Sequence, residues 1–491
     1  MDYSFLKSGT DIRGYASELG GKKIELTDEA VDDIISAFVV WYINRFDKDP
    51  EKLKIALGHD SRITADRICN ATKKALVNSG VTVLDCGLAS TPAMFMTTVD
   101  LGTDAAIEIT ASHHPFDRNG IKIFLPSGGL EGSFVSEILS LATDRMRVEG
   151  VSHGSIVPTN YMNDYAEGLQ KLIIDGVGKG EKPLTGKKIV VDAGNGVGGF
   201  YANAVLKPLG ADITGSRFLE PDGMFPNHIP NPEDKTAMKS ICDAVIANSA
   251  DLGIIFDTDV DRAGCVGADG VEINRNRLIA LAAYIAMGGE KGMTVVTDSV
   301  TSAGLKEYIE NTLGGKHYRY RRGYKNVIDK AVELCEQGVD CPLAIETSGH
   351  AALKENYFLD DGAYLATKIV IEVARGTDIT KLLSPLKMPA DELECRIGIR
   401  DKNFKQYGNT VISELEKYIA QNSEYTVAND NREGIRVSKK DGWFLLRLSV
   451  HDPVMPLNFE SDTKSGIKDM ISDLKPFFSR FDMLSLPDIL K

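Results

Sequence analysis

A serine and three aspartates carry the sharpest chemical signal in this 491-residue chain. Thr110-Ala111-Ser112-His113-His114-Pro115 offers a hydroxyl nucleophile in a turn directly after the apolar-alternating run Ala105 to Ile109. Asp257-Thr258-Asp259-Val260-Asp261-Arg262 offers three carboxylates at alternate positions after the uncharged run Leu252 to Phe256. If that loop is extended, alternate residues point to one side, so the carboxylates converge on one hard cation such as Mg²⁺. The segment begins like a calcium loop, but Arg262 stands where that loop needs glycine and Ala268 where it needs glutamate. A hydroxyl and a carboxylate-held cation, each after a strand, are the parts of metal-assisted phosphoryl transfer. The competing reading is a solvated acidic loop. The uncharged strand ahead of it favours a site at a sheet's carboxyl edge.

Other residues could join that chemistry. Lys122 lies ten residues beyond Ser112, alternating with Ile121 and Ile123. An amine beside a cation and partly desolvated loses its proton more readily, although a strand lysine without that motif is simply solvated. His113 and His114 are sequence neighbours, poorly placed to chelate one metal together, and read as structural. The serine lacks the G-x-S-x-G elbow of a hydrolase triad. Gly194-Asn195-Gly196-Val197-Gly198-Gly199 fits the dinucleotide pattern G-x-G-x-x-G, with Glu220 about twenty residues on, but tight strand-to-helix packing explains it equally well. Glu346-Thr347-Ser348-Gly349-His350 sets a carboxylate and a hydroxyl two residues apart, a spacing able to bracket vicinal sugar hydroxyls.

These groups need sheets to hold them. Short β-rich runs alternate with helical patterns over most of the chain, which predicts α/β layers. Lys54 to Leu57, Val81 to Leu84, Ala105 to Ile109 and Ile121 to Phe124 read as strands, with a helix over Ala65 to Asn78. The polar interval from Glu149 to Asn160 reads as a boundary. Lys188 to Asp192 opens a second unit, and Thr294 to Thr297, His317 to Arg319 and Leu343 to Glu346 form a third. Beyond the linker Ser384 to Pro389, Gly434 to Val437 and Trp443 to Leu448 flank a Lys-Asp-Gly turn, predicting a partly antiparallel α+β domain. The formal charge of −14 argues against nucleic-acid or anionic-membrane partners, so a phosphorylated ligand needs cations gathered locally. Seven cysteines without a C-x-x-C pair read as a reduced cytosolic set. The N-terminal residues lack a signal-peptide pattern, and the apolar run Leu278 to Met287 is too short to cross a bilayer. The expectation is a cytoplasmic protein.

Taken together the segments resemble the α-D-phosphohexomutase superfamily, which includes phosphoglucomutase and phosphomannomutase. The resemblance runs in order along nearly the whole chain: Gly9-Thr10-Asp11-Ile12-Arg13-Gly14, Gly58-His59-Asp60-Ser61-Arg62, the Ser112 turn, Asn119-Gly120-Ile121-Lys122, Pro221-Asp222-Gly223-Met224-Phe225-Pro226-Asn227-His228, then the aspartate, Glu346 and Arg447 loops. It implies three similar mixed α/β domains (1–158, 159–267 and 268–385) and a smaller α+β domain (386–491) around a central cleft. By that resemblance Ser112 would carry a phosphoryl group, and Ser112, Asp257, Asp259 and Asp261 would hold Mg²⁺ against it. Arg13, Lys122 and Arg262 would surround the transferring group, with Lys122 the proton-transfer residue. Glu346 and Ser348 would bind sugar hydroxyls, while Arg447 and Ser449 would grip the distal phosphate. The implied reaction interconverts hexose 1- and 6-phosphates, of glucose or mannose, with a hexose 1,6-bisphosphate as activator, in a monomer or homodimer.

Three departures bear on that expectation. Thr258 and Val260 stand where the family commonly has glycines. Tyr324 stands where many bacterial relatives have histidine, leaving Lys325 as an electrostatic helper. The last loop reads Arg447-Leu448-Ser449-Val450-His451-Asp452-Pro453, with Pro456 in the place of an arginine, so His451 would donate to phosphate instead of a threonine. Two other readings stay open: a sugar-phosphate-binding homologue without turnover, and a dinucleotide-dependent enzyme.

Overall fold

The computed structural model describes residues 2–449 and 452–491. It divides into two compact units, Met1–Leu278 with Ser348–Leu382, and Ile279–Thr347 with Leu383–Lys491. In the first unit the leading sheet runs Lys7–Ser8, Asp11–Tyr15, Arg118–Leu125, Ala105–Ile109, Lys54–His59, Thr82–Leu88, Ile156–Pro158 in spatial order. Lys54–His59 is parallel to both neighbours, whereas Ala105–Ile109 meets Arg118–Leu125 antiparallel. That reversal brings the chain straight back after the serine turn, setting Lys122 opposite Glu108 in the ladder. Ile34 and Phe38 of the helix Asp28–Phe46, Ile68 of Ala65–Asn78 and Ile138 of Gly132–Thr143 cover Ile55 and Ile107 of the sheet. Thr27 caps the first of these helices by accepting from the Ala30 amide at 3.1 Å.

The second sheet carries the aspartates. Ile189–Asp192 runs parallel to Leu252–Phe256, which pairs antiparallel with Ala263–Gly267, itself paired with Glu272–Ile273. Leu252–Phe256 is buried throughout, as its uncharged sequence predicts. One strand is not legible in the sequence. The polar interval taken as a boundary contains the strand Ile156–Pro158, paired with Thr82–Leu88. All three of its residues are exposed, so it lacks the alternating burial by which a strand is legible.

In the second unit Thr294–Thr297 lies between Lys316–Arg319 and Leu343–Ile345, all parallel. The C-terminal sheet is antiparallel, in the order Thr426–Val427, Ile435–Lys439, Gly442–Leu446, Val454–Ser461, Asp391–Ile399, Leu484–Ser485. Its strands alternate cleanly: Phe444 and Leu446 join Val411, Leu415, Met470 and Leu474 in a core under the helices Phe404–Ile419 and Gly466–Phe478. Trp443 and Leu445 point the other way and pack on Val300. The fold is therefore mixed α/β with a C-terminal α+β sheet, as expected. Among the described residues no helix is long and apolar enough to cross a membrane.

Candidate active site

The candidate residues fall in both units, and those of the first unit converge. Ser112 sits in a left-handed turn (φ +51°) and is 4% exposed, so the hydroxyl is buried although it lies in a turn. Arg62 explains how the turn is held. Its guanidinium donates to the carbonyls of Ser112, His114 (2.7 Å), Pro115 (2.7 Å) and Arg118 (2.9 Å), and is itself paired with buried Asp60 at 3.1 Å. Thr110 completes the frame, donating to Asp60 at 2.7 Å while its oxygen accepts from the Ser112 amide at 2.9 Å.

The Ser112 hydroxyl donates to Asp257 Oδ2 at 3.0 Å and accepts from Arg262 Nη2 at 3.2 Å. Arg262 also donates to Asp257 at 3.0 Å and to His113 Nδ1 at 2.7 Å. Burial, reinforced by the Arg262 charge, pushes His113 down to about 2, and burial with Arg13 pushes His114 to about 3. Both imidazoles are thus neutral supports, as their adjacency suggests. Arg13, on Asp11–Tyr15, pairs with Asp11 at 2.7 Å and lies opposite Gly120 in the ladder beside Lys122.

Asp257, Asp259 and Asp261 bring carboxylate oxygens within 4.8 Å of one another, all buried. An extended loop is not the cause. Val260 has φ +65°, so the chain turns and gathers the carboxylates by curvature. Three successive carbonyls fix that curve: Thr258 accepts from the Val197 amide (2.8 Å), Asp259 from Thr91 (2.9 Å) and Val260 from Gly362 (3.1 Å). Thr91 and Gly362 open the helices Thr91–Asp100 and Gly362–Arg375, whose first amides have no partner within their own helix.

Lys122 Nζ reaches Asp259 at 2.8 Å and Asp261 at 2.6 Å. Burial pulls the amine down, but the two carboxylates outweigh it and hold the ammonium well above the ordinary lysine range. The lowered pKa expected from a neighbouring cation is therefore not the state of this site. Asp259 Oδ1 and Asp261 Oδ1 are buried without a hydrogen-bond partner among the described residues. Orphaned carboxylate oxygens in an all-oxygen donor set fit a hard divalent cation such as Mg²⁺.

Two further residues at this site carry no signal in the sequence pattern, His350 and Thr91. His350 Nδ1 lies 2.5 Å from Asp360 and 4.0 Å from Asp261, while Thr91 Oγ1 donates to Asp259 at 2.6 Å. Ser348 is buried next to Gly349, whose φ of +95° and close approach to the Ala263 carbonyl exclude a side chain. The glycine run is absorbed by packing. A Cβ on Gly196 would meet the Thr258 carbonyl at 2.5 Å, one on Gly198 the Phe256 ring at 2.9 Å, and one on Gly199 the Leu219 carbonyl at 2.0 Å. The run braces the aspartate loop instead of offering a phosphate cradle.

In the second unit Glu346 accepts from the Gly323 amide at 2.6 Å, directly before Tyr324 opens the helix Tyr324–Glu336. Lys325 is paired with Asp329 one helical turn on, at 2.8 Å. Arg447 approaches Glu433 at 3.7 Å, and the Ser449 hydroxyl accepts from the Asp452 amide at 3.2 Å. Pro456 lies inside Val454–Ser461, a strand paired on both sides, and its carbonyl accepts from the Arg447 amide at 3.1 Å. His451, expected to donate to phosphate, falls outside the described residues.

Comparison with known proteins matches three family models, for the phosphoglucomutase/phosphomannomutase α/β/α domains I, II and III, at residues 8–146, 163–270 and 274–387. A phosphoglucomutase of Neisseria gonorrhoeae is 30% identical over 466 residues, covering 93% of each chain. A phosphomannomutase/phosphoglucomutase of Pseudomonas aeruginosa is 30% identical over 417 residues, covering 84% of this chain and 85% of its own. Among solved structures, a phosphoglucomutase/phosphomannomutase family protein of Burkholderia thailandensis superposes with a TM-score of 0.81 at 26% identity, covering 98% of both chains.

Proposed function

The chain belongs to the phosphoglucomutase/phosphomannomutase family, and from that premise we propose that it interconverts the 1- and 6-phosphates of glucose or mannose through a phosphoserine at Ser112 and a hexose 1,6-bisphosphate. Enzymes of this family are phosphotransferase isomerases, and this chain is one of them. The observation that carries the serine mechanism is the Ser112 hydroxyl bonded to both Asp257 and Arg262, beside three converging carboxylates.

In the forward half-reaction the bond between phosphorus and Ser112 Oγ breaks as one forms to a sugar oxygen, and the sugar hydroxyl loses its proton. The return half-reaction transfers the other phosphate of the bisphosphate to Ser112. Bound by Asp257, Asp259 and Asp261, Mg²⁺ would neutralise charge on the phosphoryl oxygens and share the carboxylates that now hold Lys122 charged. Lys122, neutral once the cation draws Asp259 and Asp261 off its ammonium, is the proposed acceptor of that proton and returns it in the second half-reaction, and Arg262, already on the nucleophile, stabilises charge as it shifts between oxygens. Burial of the serine turn keeps water from the phosphoserine. Glu346 and Ser348 are proposed to take sugar hydroxyls. Arg447 and Ser449 are proposed for the distal phosphate, Arg13 as a catalytic residue beside the transferring group, and Tyr324 and Lys325 for further substrate contacts.

The test supplies glucose 1-phosphate, Mg²⁺ and catalytic glucose 1,6-bisphosphate, and separates the products by chromatography. Glucose 6-phosphate should form, and Ser112→Ala should lower its rate on the order of 10⁴- to 10⁶-fold, the scale for loss of a catalytic nucleophile. The purified chain should also gain the mass of one phosphoryl group at Ser112. Failure with glucose and mannose phosphates alike, with no phosphate on Ser112, would leave sugar-phosphate binding without turnover as the better reading.

A further inference from the structure

A cavity of about 660 Å³ in the second unit has no part in the chemistry above. It lies where Ala303 to Arg319 meets the C-terminal sheet, and its floor includes Arg319, Arg436 and Trp443. Both arginines are more than nine-tenths buried. Arg436 stacks on the Trp443 ring with its guanidinium carbon 3.5 Å from the centroid. Burial at that depth makes a charge costly unless it is paired. Yet among the described residues the one carboxylate within ion-pair distance of either guanidinium is Asp430, 3.6 Å from Arg319.

The remaining partners are neutral. Arg319 donates to Thr301 Oγ1 (3.1 Å) and the Ser302 carbonyl (2.8 Å), and Arg436 to the carbonyls of Ser299 (2.9 Å) and Thr301 (3.1 Å). A guanidinium has five N–H donors, so each arginine keeps some beyond these bonds. Lys306 adds a third cation to the wall, while Glu307, Glu310 and Asp430 supply carboxylates and Asn311 an amide. Cations together with hydrogen-bond acceptors match a phosphate carried on a hydroxylated body, and the volume lies in the usual range for a small-molecule site.

We propose that this cavity binds a small phosphate monoester, its phosphoryl group on Arg319, Arg436 and Lys306 and its hydroxyls on the carboxylates and amide of the wall. The site is wired to the candidate substrate residues of the same unit through the turn Ser299 to Ser302. Ser299 Oγ donates to Glu433 at 2.6 Å, and Glu433 faces Arg447. Asp298, at the head of the turn, accepts from the Thr347 amide at 3.1 Å and hydroxyl at 2.6 Å, next to Glu346. A ligand that draws on the two guanidiniums changes their grip on the turn carbonyls, which makes this an effector site and not a second catalytic one.

Trp443 is one of only two tryptophans in the chain and reports directly on the cavity floor. In the full-length Trp41→Phe variant, inorganic phosphate and glycerol 3-phosphate should each produce a saturable change in emission that chloride at matched ionic strength does not. Lys306→Glu, at a half-exposed helix position, should weaken that binding about tenfold or more, the worth of a charged hydrogen bond. If Trp41→Phe does not fold, the difference between the wild-type chain and Trp443→Phe isolates the same signal. Amide exchange at Val300, whose N–H is bonded to Asp298 at 3.3 Å, should slow on saturation in the wild type and not in Lys306→Glu. A titration without saturation, or one that Lys306→Glu leaves unmoved, would overturn the proposal and assign any phosphate effect to the catalytic residues or to ionic strength. Neither readout requires turnover, so failure here and failure of the mutase reading are separable.

Discussion

Val260 pays for the shape of the aspartate loop. A buried β-branched residue at φ +65° is strained by about 1–3 kcal/mol. Val260→Gly would relieve that strain but lose a valine side chain's burial, worth roughly 1.5–3 kcal/mol. The two effects nearly cancel, so the thermal midpoint should barely move. The loop would also gain conformational freedom, and apparent Mg²⁺ affinity, measured by calorimetric titration, should fall about tenfold, as when a support behind a metal ligand is removed. Unchanged affinity would mean that the three anchored carbonyls alone set the curve. The carboxylates were legible in the sequence because their spacing follows a strand. The means of convergence was not, because a left-handed valine contradicts the local preference that sequence reading relies on. Ser112 was legible for the same positional reason. Its burial depends on Arg62, whose four carbonyl partners leave no trace in the order of residues.

At the scale of elements, loops are tied to strands by polar pairs that sequence patterns do not reveal. His228 Nε2 meets buried Asp192 at the end of Ile189–Asp192 at 3.0 Å, and three residues on Asn231 accepts from Arg262 at 3.1 Å. Burial lowers the His228 pKa, but the Asp192 hydrogen bond and charge outweigh it, and the net shift is upward. A histidine raised on folding contributes stability that is full below its unfolded value, about 6.5, and that fades as pH climbs through the raised value. The wild type should therefore lose thermal stability on the alkaline side of about pH 6.5. His228→Gln should flatten that part of the profile, seen by calorimetry across buffers, and a variant profile parallel to the wild type would remove the assignment. The strands themselves were easier to foresee. Ala105–Ile109, Leu252–Phe256 and Thr294–Thr297 begin and end where their apolar runs do. The edge strand Ile156–Pro158 went unseen because solvent covers its side chains.

For the molecule as a whole, a ligand that binds only the folded chain raises its stability by mass action. Mg²⁺ at about a hundred times its dissociation constant should stabilise the wild type by about 2.7 kcal/mol. Asp259→Asn should lose most of that gain in a thermal-shift titration. An equal Mg²⁺ response in the two proteins would place the cation elsewhere. Sequence order alone supplied the α/β layers and the change to an antiparallel C-terminal sheet, because both follow from apolar periodicity. It could not supply the bracing of the aspartate loop by Val197, Thr91 and Gly362, since those residues lie far apart in the chain and share no pattern. That bracing has a genetic corollary. Substitutions at three well-separated stretches of the gene should converge on one conditional phenotype, an enzyme that fails in scarce magnesium and recovers when the cation is supplied. A suppressor screen begun from any one of them would then be expected to return changes beside the other two.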